Sequence, residues 1–314
     1  MSLVSIIIPC YNYGWLLAET LNSVLAQTHQ DWECIIVDDG STDNTRSVAE
    51  KYQAEDSRFR YIFRENGGLP AARNTGIRQA SGTYLQLLDA DDLLAPRKLE
   101  LQVSLLDAQP EIDILYGDVR YFLDGEPAVL SYSFDMQNVP WMSNMSGQGA
   151  AVLAPLITQN QFVVNSPLIR IAIIRRVGLF AEHLRSLEDW DFWLRCALSG
   201  ACFQYDDRPE MWALVRVHSA SLSQNRLKMR FFEEQMRSGL VQPLRTAGVP
   251  EAQVYNNQSL QQLRYDNAVY NLTQGRIKEG LSTYWDLARE SGNYLSYAKG
   301  ALYWLVRRVR TAKT

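Results

Sequence analysis

The chain opens on Val4-Ser5-Ile6-Ile7-Ile8, a short β-branched run closed by Pro9, in the pattern of a strand covered on both faces. Over residues 15–27, Leu17, Leu21, Val24 and Leu25 share one helical face. Residues 32–37 form a second apolar run, ended by Asp38-Asp39-Gly40-Ser41. Ser41 suits the N-cap of a helix running through Val48, Ala49 and Tyr52. The alternation then continues with a strand at 59–63, a helix at 69–80 and a strand at 84–88. A helix carrying Leu99, Val103 and Leu106 follows, with Pro96 in its first turn, and residues 112–119 read as a fifth strand. This order predicts an α/β fold, a mainly parallel sheet layered between helices. Ligands of such sheets sit beyond the carboxyl ends of the strands. Three of those ends carry distinctive residues: Pro9-Cys10-Tyr11-Asn12, Asp38-Asp39-Gly40-Ser41 and Asp89-Ala90-Asp91-Asp92.

Three carboxylates within residues 89–92 repel one another unless a cation or hydrogen-bond donors neutralise them. With no cysteine alongside, they suit a hard divalent ion, Mn²⁺ or Mg²⁺. The plainer alternative is a solvated acidic turn that caps the next helix. Asp38 and Asp39 divide the same way between turn residues and acceptors for a base or ribose. Tyr11 offers either a stacking face or only part of a strand-to-helix turn. Neither G-x-x-x-x-G-K-[ST] nor G-x-G-x-x-G occurs, so a metal rather than a glycine loop is expected to hold any phosphates.

With 314 residues there is room for about two domains. The 46% hydrophobic and 21% charged content supports a packed core and argues against disorder. A net charge of −4 gives no whole-chain reason to expect nucleic acid as a partner. The charge is uneven, because residues 299–314 hold five basic residues and no acidic one. Cys10, Cys34, Cys196 and Cys202 follow no metal-binding spacing, which points to buried thiols in a reducing compartment. No apolar run reaches 18 residues, and no basic leader precedes Val4, so a cytoplasmic location is expected.

The order of motifs is more specific than any one of them. SIIIPCYNYG, IIVDDGSTDNT, ENGGLPAARNTGI and YLQLLDADD follow closely, and SLEDWDFWLR comes about a hundred residues later. This succession resembles the inverting family 2 glycosyltransferases of the GT-A fold over residues 3–225. The resemblance implies a GT-A domain at 1–225, with a nucleotide-sugar-binding half at 1–120 and an acceptor-binding half at 121–225. A helical extension at 226–314 follows. By similarity, Pro9, Tyr11 and Asn12 line the nucleotide pocket, Asp39 recognises the base and Asp38 supports its loop. Arg73 and Asn74 lie near the ribose and diphosphate. In the acidic motif Asp89 and Ala90 face the sugar nucleotide, while Asp91 and Asp92 ligate the metal. Arg216-Val217-His218 matches an R-x-H element, with His218 as a further metal ligand and Arg216 against the departing phosphate.

Asp189 matches the family's catalytic base, with Glu188 as the alternate. Ser186-Leu187-Glu188-Asp189 is also a capping-box pattern, so the same carboxylate suits a helix cap. Asp191 and Arg195, at i and i+4, read as a surface pair. The implied reaction moves a sugar from a nucleotide-sugar donor, with UDP favoured over GDP and dTDP, onto a glycan or glycolipid acceptor. Cell-surface polysaccharide or glycoconjugate synthesis is the implied setting. Two rivals are a sugar nucleotidyltransferase, whose glycine-rich activation loop is missing, and a non-catalytic sugar-nucleotide-binding scaffold.

Residues 121–165 show weak periodicity, and Trp141, Met142 and Met145 there are candidates for a mobile apolar lid. From about Arg226 the chain turns helical. Tyr294, Ala298, Ala301, Leu302, Leu305 and Val309 form one predicted stripe, with Tyr297, Trp304 and a basic set of Lys299, Arg307, Arg308 and Arg310 beside it. Residues 294–314 are therefore a candidate for peripheral membrane contact, against a stripe that only packs on neighbouring helices.

Overall fold

The computed structural model describes residues 2–218 and 226–311, with side chains given as far as Trp304. The chain forms two compact units, Met1–Ser221 and Leu222–Thr314. The expected boundary at 225 falls in the stretch outside the described residues.

The first unit begins with β1 (Val4–Cys10), α1 (Gly14–Leu25), β2 (Trp32–Asp38), α2 (Thr45–Glu55), β3 (Phe59–Phe63) and α3 (Leu69–Gln79). β4 (Tyr84–Leu87), the two-residue β5 (Leu93–Leu94) and α4 (Lys98–Ala108) follow. β1 runs through Pro9 instead of stopping there, with all seven residues buried. Its pairing with β4 ends at Ile7, so beyond that point one edge of β1 is open and a residue without an N–H is tolerated.

The predicted fifth strand is two strands in different sheets. β6 (Ile114–Tyr116) joins the large sheet, and β7 (Val119–Leu123) joins a small one. Gly117 sits at the break, where an added Cβ would lie 2.8 Å from the Asp206 carbonyl oxygen. The remaining elements are α5 (Ala150–Thr158), β8 (Leu168–Arg170), α6 (Ile171–Val177), α7 (Glu188–Leu198), β9 (Phe203–Tyr205) and β10 (Ala213–Val217). The large sheet has the order β3-β2-β1-β4-β8-β6-β9 and is parallel except at β8. The small sheet, β5-β10-β7, lays β10 antiparallel to β5, immediately after the acidic motif.

The apolar positions that predicted these elements form their core. Ile6, Ile8, Leu17, Leu21, Val24, Leu99, Val103 and Leu106 belong to one buried cluster. Each such side chain contributes roughly 1.5–3 kcal/mol relative to exposure. The three thiols of Cys10, Cys34 and Cys196 are buried and that of Cys202 is half-buried. Of the three expected lid residues, Trp141 is exposed and the two methionines are packed. Met145 is buried, Met142 lies against the core, and the Tyr116 hydroxyl donates to the carbonyls of Ser143 and Met145 at 2.7 and 2.9 Å.

The second unit is helical: α8 (Arg226–Thr246), α9 (Pro250–Thr273), α10 (Ile277–Ser291) and α11 (Tyr294–Thr311). Ala268, Leu272, Tyr284 and Ala301 form its core, with Tyr297 and Trp304 against it. The inward face of α11 is thus Tyr297, Gly300, Ala301 and Trp304, whereas Tyr294, Ala298 and Leu302 face solvent. The side chains of Leu305 and Val309 lie outside the described residues. Small residues explain the shifted register: an added Cβ on Gly300 would come within 3.3 Å of the Tyr284 ring. A stripe chosen by hydrophobicity overlooks glycine.

Candidate active site

The ends of β1 and β2 are bonded together. The Asp39 N–H donates to the Cys10 carbonyl at 2.8 Å. Asn12 adopts a left-handed φ of 58°, an uncommon conformation outside glycine that clusters at functional sites. Its N–H donates to Ser41 Oγ at 2.9 Å, and its Oδ1 accepts from the Thr42 N–H at 2.8 Å. Ser41 is therefore not the predicted helix cap. α2 starts at Thr45, whose N–H donates to Asp43 Oδ1 at 3.0 Å.

The Asp38 carboxylate accepts from the Ser41 N–H and the Tyr61 hydroxyl at 2.8 and 2.7 Å. Asp39 accepts from the Gly67 and Gly68 N–H groups at 3.1 and 2.8 Å and lies 3.2 Å from Arg64 Nε. Gly40 between them and Ser41 has φ 83°, with an added Cβ only 2.9 Å from the Asn66 nitrogen. Both carboxylates are buried and held by the protein, while Pro9 is interior and the Tyr11 ring is exposed.

At the acidic motif, Ala90 is buried, and its carbonyl accepts from Thr20 Oγ1 at 2.8 Å. The antiparallel pairing of β10 with β5 brings Arg216 and His218 to Asp91 and Asp92. Asp92 Oδ1 accepts from the Arg216 backbone N–H at 2.7 Å, and its Oδ2 accepts from the Asn165 side-chain amide. Asn165 Oδ1 in turn accepts from the Asp89 N–H at 3.0 Å. The buried Arg216 guanidinium donates to the Asp91 carbonyl (2.9 Å) and to Asp124 and Glu19 (2.7 Å each).

Asp91 Oδ2 lies 2.9 Å from His218 Nε2, with the imidazole edge-on to Tyr13 and Trp15 at centroid distances of 5.8 and 6.0 Å. Burial, and then Asp89, raise the Asp91 carboxyl above its ordinary value despite His218. Burial, and then Asp91, raise Asp92 well above the ordinary range. Tyr13 is pushed up to about 12 by burial and then by Asp91. In all three burial is the larger cause, and an excess of neighbouring negative charge adds to it.

That excess, and the chemistry of the donors, fit a hard divalent ion. Asp91 and His218 are a mixed oxygen and nitrogen pair, and Asp89 stands nearby. Among the described residues no three His, Cys, Asp or Glu side chains converge as a complete cation site. Two protein ligands with open positions suit an ion whose shell is completed by substrate phosphates.

The second acidic pair opens α7. Leu187, not Ser186, is the N-cap residue and sits in the left-handed region at φ 63°. Glu188 is buried and pairs with the buried Arg73, whose other terminal nitrogen lies 2.7 Å from Asp89 Oδ1. Asp189 is half-buried. Its Oδ2 accepts from Asn160 Nδ2 and its Oδ1 from the Trp190 N–H, both at 2.8 Å. Burial raises the carboxyls of both Glu188 and Asp189, and Arg73 opposes the rise in each.

Asn74 faces elsewhere. Its amide donates to the Phe180 carbonyl and to Glu182 at 2.9 and 2.8 Å, tying α3 to that loop. Asp191 and Arg195 do pair, at 2.8 Å, but Arg195 also donates to the carbonyls of Val177 and Leu179, so the pair is partly buried bracing and not a surface contact.

One buried arginine thus brings Asp89 and Glu188 together, and β10 brings Asp91, Asp92, Arg216 and His218 together. Sequence reading missed the two asparagines, Asn160 and Asn165, and the ring contacts of Tyr13 and Trp15. An Asn-Ser-Pro turn marks residue 165 as punctuation but says nothing of its partner.

Residues 5–164 match the family model described as Glycosyl transferase family 2. An uncharacterized glycosyltransferase of Rickettsia typhi is 29% identical over 287 residues, covering 88% of this chain and 82% of the relative. Among solved structures, S. aureus TarS residues 1–349 in complex with UDP-GlcNAc aligns with a TM-score of 0.65 at 18% identity, over 92% of this chain and 81% of that one. A mannosyltransferase from Pyrobaculum calidifontis, solved with GDP-Man and Mn²⁺, aligns at 0.57 and 18% identity, over 98% of this chain and 84% of that one. Both likenesses speak to the fold.

Proposed function

The chain belongs to glycosyl transferase family 2, and from that premise we propose that it transfers a sugar, with inversion, from a nucleotide-sugar donor to an acceptor hydroxyl. UDP is the favoured nucleotide, in keeping with the UDP and UDP-GlcNAc held by the TarS structures. The acceptor is a glycan or glycolipid of the cell surface. The observation that carries this reading is Arg73, which joins the acidic strand end to the Glu188-Asp189 helix start across 115 residues of chain.

The reacting carbon must release a nucleoside diphosphate carrying at least two negative charges. Asp91 and His218 would hold Mn²⁺ or Mg²⁺, and a bound ion supplies charge neutralisation to that leaving group. Asp92 is a brace and not a ligand in this scheme, because it is buried, with both its oxygens accepting from protein donors. Arg216 likewise braces the motif and does not reach for phosphate. The exposed Tyr11 ring and the Asn12 turn border the base, and Asp89 faces the ribose.

Asp189 takes the proton from the acceptor hydroxyl as that oxygen attacks opposite the departing diphosphate. Burial makes its carboxylate a stronger base than an ordinary one, and general-base assistance contributes on the order of 10²–10⁴-fold. Glu188, bound to Arg73, fixes the helix start that aims Asp189.

Incubation with UDP-, GDP- and dTDP-sugars and manganese, read by diphosphate release and by NMR of the product anomer, tests the proposal. An α-linked UDP-sugar should yield a β-glycoside, or slow hydrolysis without acceptor. Retained anomeric configuration would contradict inversion. Binding of donors without any turnover would favour the scaffold reading.

A further inference from the structure

The two units carry opposite charge. Met1–Ser221 contains 17 basic and 28 acidic residues, whereas Leu222–Thr314 contains 14 basic and 7 acidic ones. Beyond Glu290 the second unit has no acidic residue at all. Its outer helices also expose apolar side chains in an ordered way. Ile277, Leu281 and Trp285 repeat at i, i+4 and i+8 along α10, and all three are exposed. On α11, Leu295 and Leu302 stand seven residues apart at 68% and 63% exposure, beside an exposed Tyr294. The Trp285 and Tyr294 rings lie 5.7 Å apart and join the two rows into one patch. Single exposed apolar residues need no explanation, but a contiguous set does.

We propose that this face of α10 and α11 docks on an anionic lipid surface. Basic charge disfavours pairing of this face with the same face of a second copy, since two such units repel, and selects an anionic occupant. Trp285 and Tyr294 suit a bilayer interface, where an apolar ring body and a polar edge are both accommodated. Lys278 and Lys299 flank the rows, and Arg307, Arg308, Arg310 and Lys313 follow in the sequence. No helix among the described residues is long and apolar enough to cross a membrane, so the contact proposed is peripheral. Apolar insertion and basic charge would act together, as in surface-lying amphipathic helices. The inference does not depend on the proposed reaction, because none of these residues belongs to the candidate site.

The full chain should be sedimented with vesicles of phosphatidylcholine alone and of phosphatidylcholine with phosphatidylglycerol. Binding is expected only to the anionic vesicles and should weaken with salt. Trp285→Ser with Leu302→Ser should reduce it more than tenfold, Trp285→Phe should retain most of it, and Lys299→Glu should cost at least about fivefold. Melting curves confirm that each variant folds, and Lys299→Glu, fully on the surface, stands in should the double variant unfold. Absence of binding at low salt, or serine and glutamate variants that bind like the parent, would overturn the proposal. So would a concentration-dependent dimer, in analytical ultracentrifugation without lipid, that the same substitutions disperse while vesicle binding is missing.

Discussion

The Asp91-Asp92 pair and the Glu188-Asp189 pair come from distant parts of the sequence, are drawn together through Asp89 and Arg73, and follow one plan. In each, one carboxylate is buried and braced, and its neighbour, though also hydrogen-bonded to protein, is only half-buried. Asp92 and Glu188 are the buried members; Asp91 and Asp189 are half-buried and, in the proposed reaction, the available ones. The braces differ in kind. Asp92 is held by neutral donors, the Asn165 amide and a backbone N–H, whereas Glu188 is held by the cation of Arg73. A neutral brace leaves the cluster short of positive charge, as a cation-binding site requires. A cationic brace fixes a helix start without inviting a metal to it. On the proposed reading, that difference separates the place of an ion from the place of a base.

Removing the available member of the second pair should have the largest effect. Asp189→Asn is expected to lower kcat on the order of 10²–10⁴-fold while donor affinity, by calorimetry, stays near that of the parent. Removing the cationic brace comes next. Arg73→Met leaves Glu188 buried without its partner and should cost about 3–5 kcal/mol in denaturant unfolding. Adding Glu188→Gln to that variant should recover much of the loss, since the other carboxylate that Arg73 held, Asp89, is partly exposed to water.

The neutral brace should matter less. Asp92→Asn is expected to cost about 1–3 kcal/mol, because the Asn165 amide then meets a donor or a weaker acceptor. Donor binding in manganese should largely survive that change but not Asp91→Asn; equal losses from the two would erase the distinction between brace and ligand. The pH profile sharpens the comparison further. A base must be ionised, so kcat/KM should fall as pH drops through the Asp189 carboxyl, and burial places that acid limb above the ordinary carboxylate range. Its disappearance in Asp189→Asn would identify the group. The smallest effect belongs to the loop beside the nucleotide. Ser41→Ala removes the acceptor for the Asn12 N–H and should cost roughly 0.5–1.5 kcal/mol.

What could be read from the sequence was whatever local pattern determines. The alternation of apolar runs and helical faces located β1 to β4 and their helices, and clustered turn residues marked the three strand ends. Partners distant in sequence were not legible. Asn165 reaches Asp92 across 73 residues, and no feature of either segment names the other. Local propensity also misled where tertiary partners competed for the same group. Ser41 and Ser186 both look like helix caps, yet Ser41 accepts from Asn12 and α7 starts behind Leu187. In α11 the small residues Gly300 and Ala301 decide which face turns inward; Ala301 belongs to the predicted stripe, but Gly300 does not stand out in one. At 112–119 the apolar run is continuous, but crowding at Gly117 divides it between two sheets.

The account rests on the division of labour between adjacent carboxylates at the start of α7. Single-turnover rates with saturating donor, measured together with melting temperatures for Glu188→Gln and Asp189→Asn, test it most directly. The expected result is a melting temperature near the parent's but almost no turnover in Asp189→Asn, and a lower melting temperature with readily measured turnover in Glu188→Gln. Turnover abolished in Glu188→Gln but retained in Asp189→Asn would contradict it.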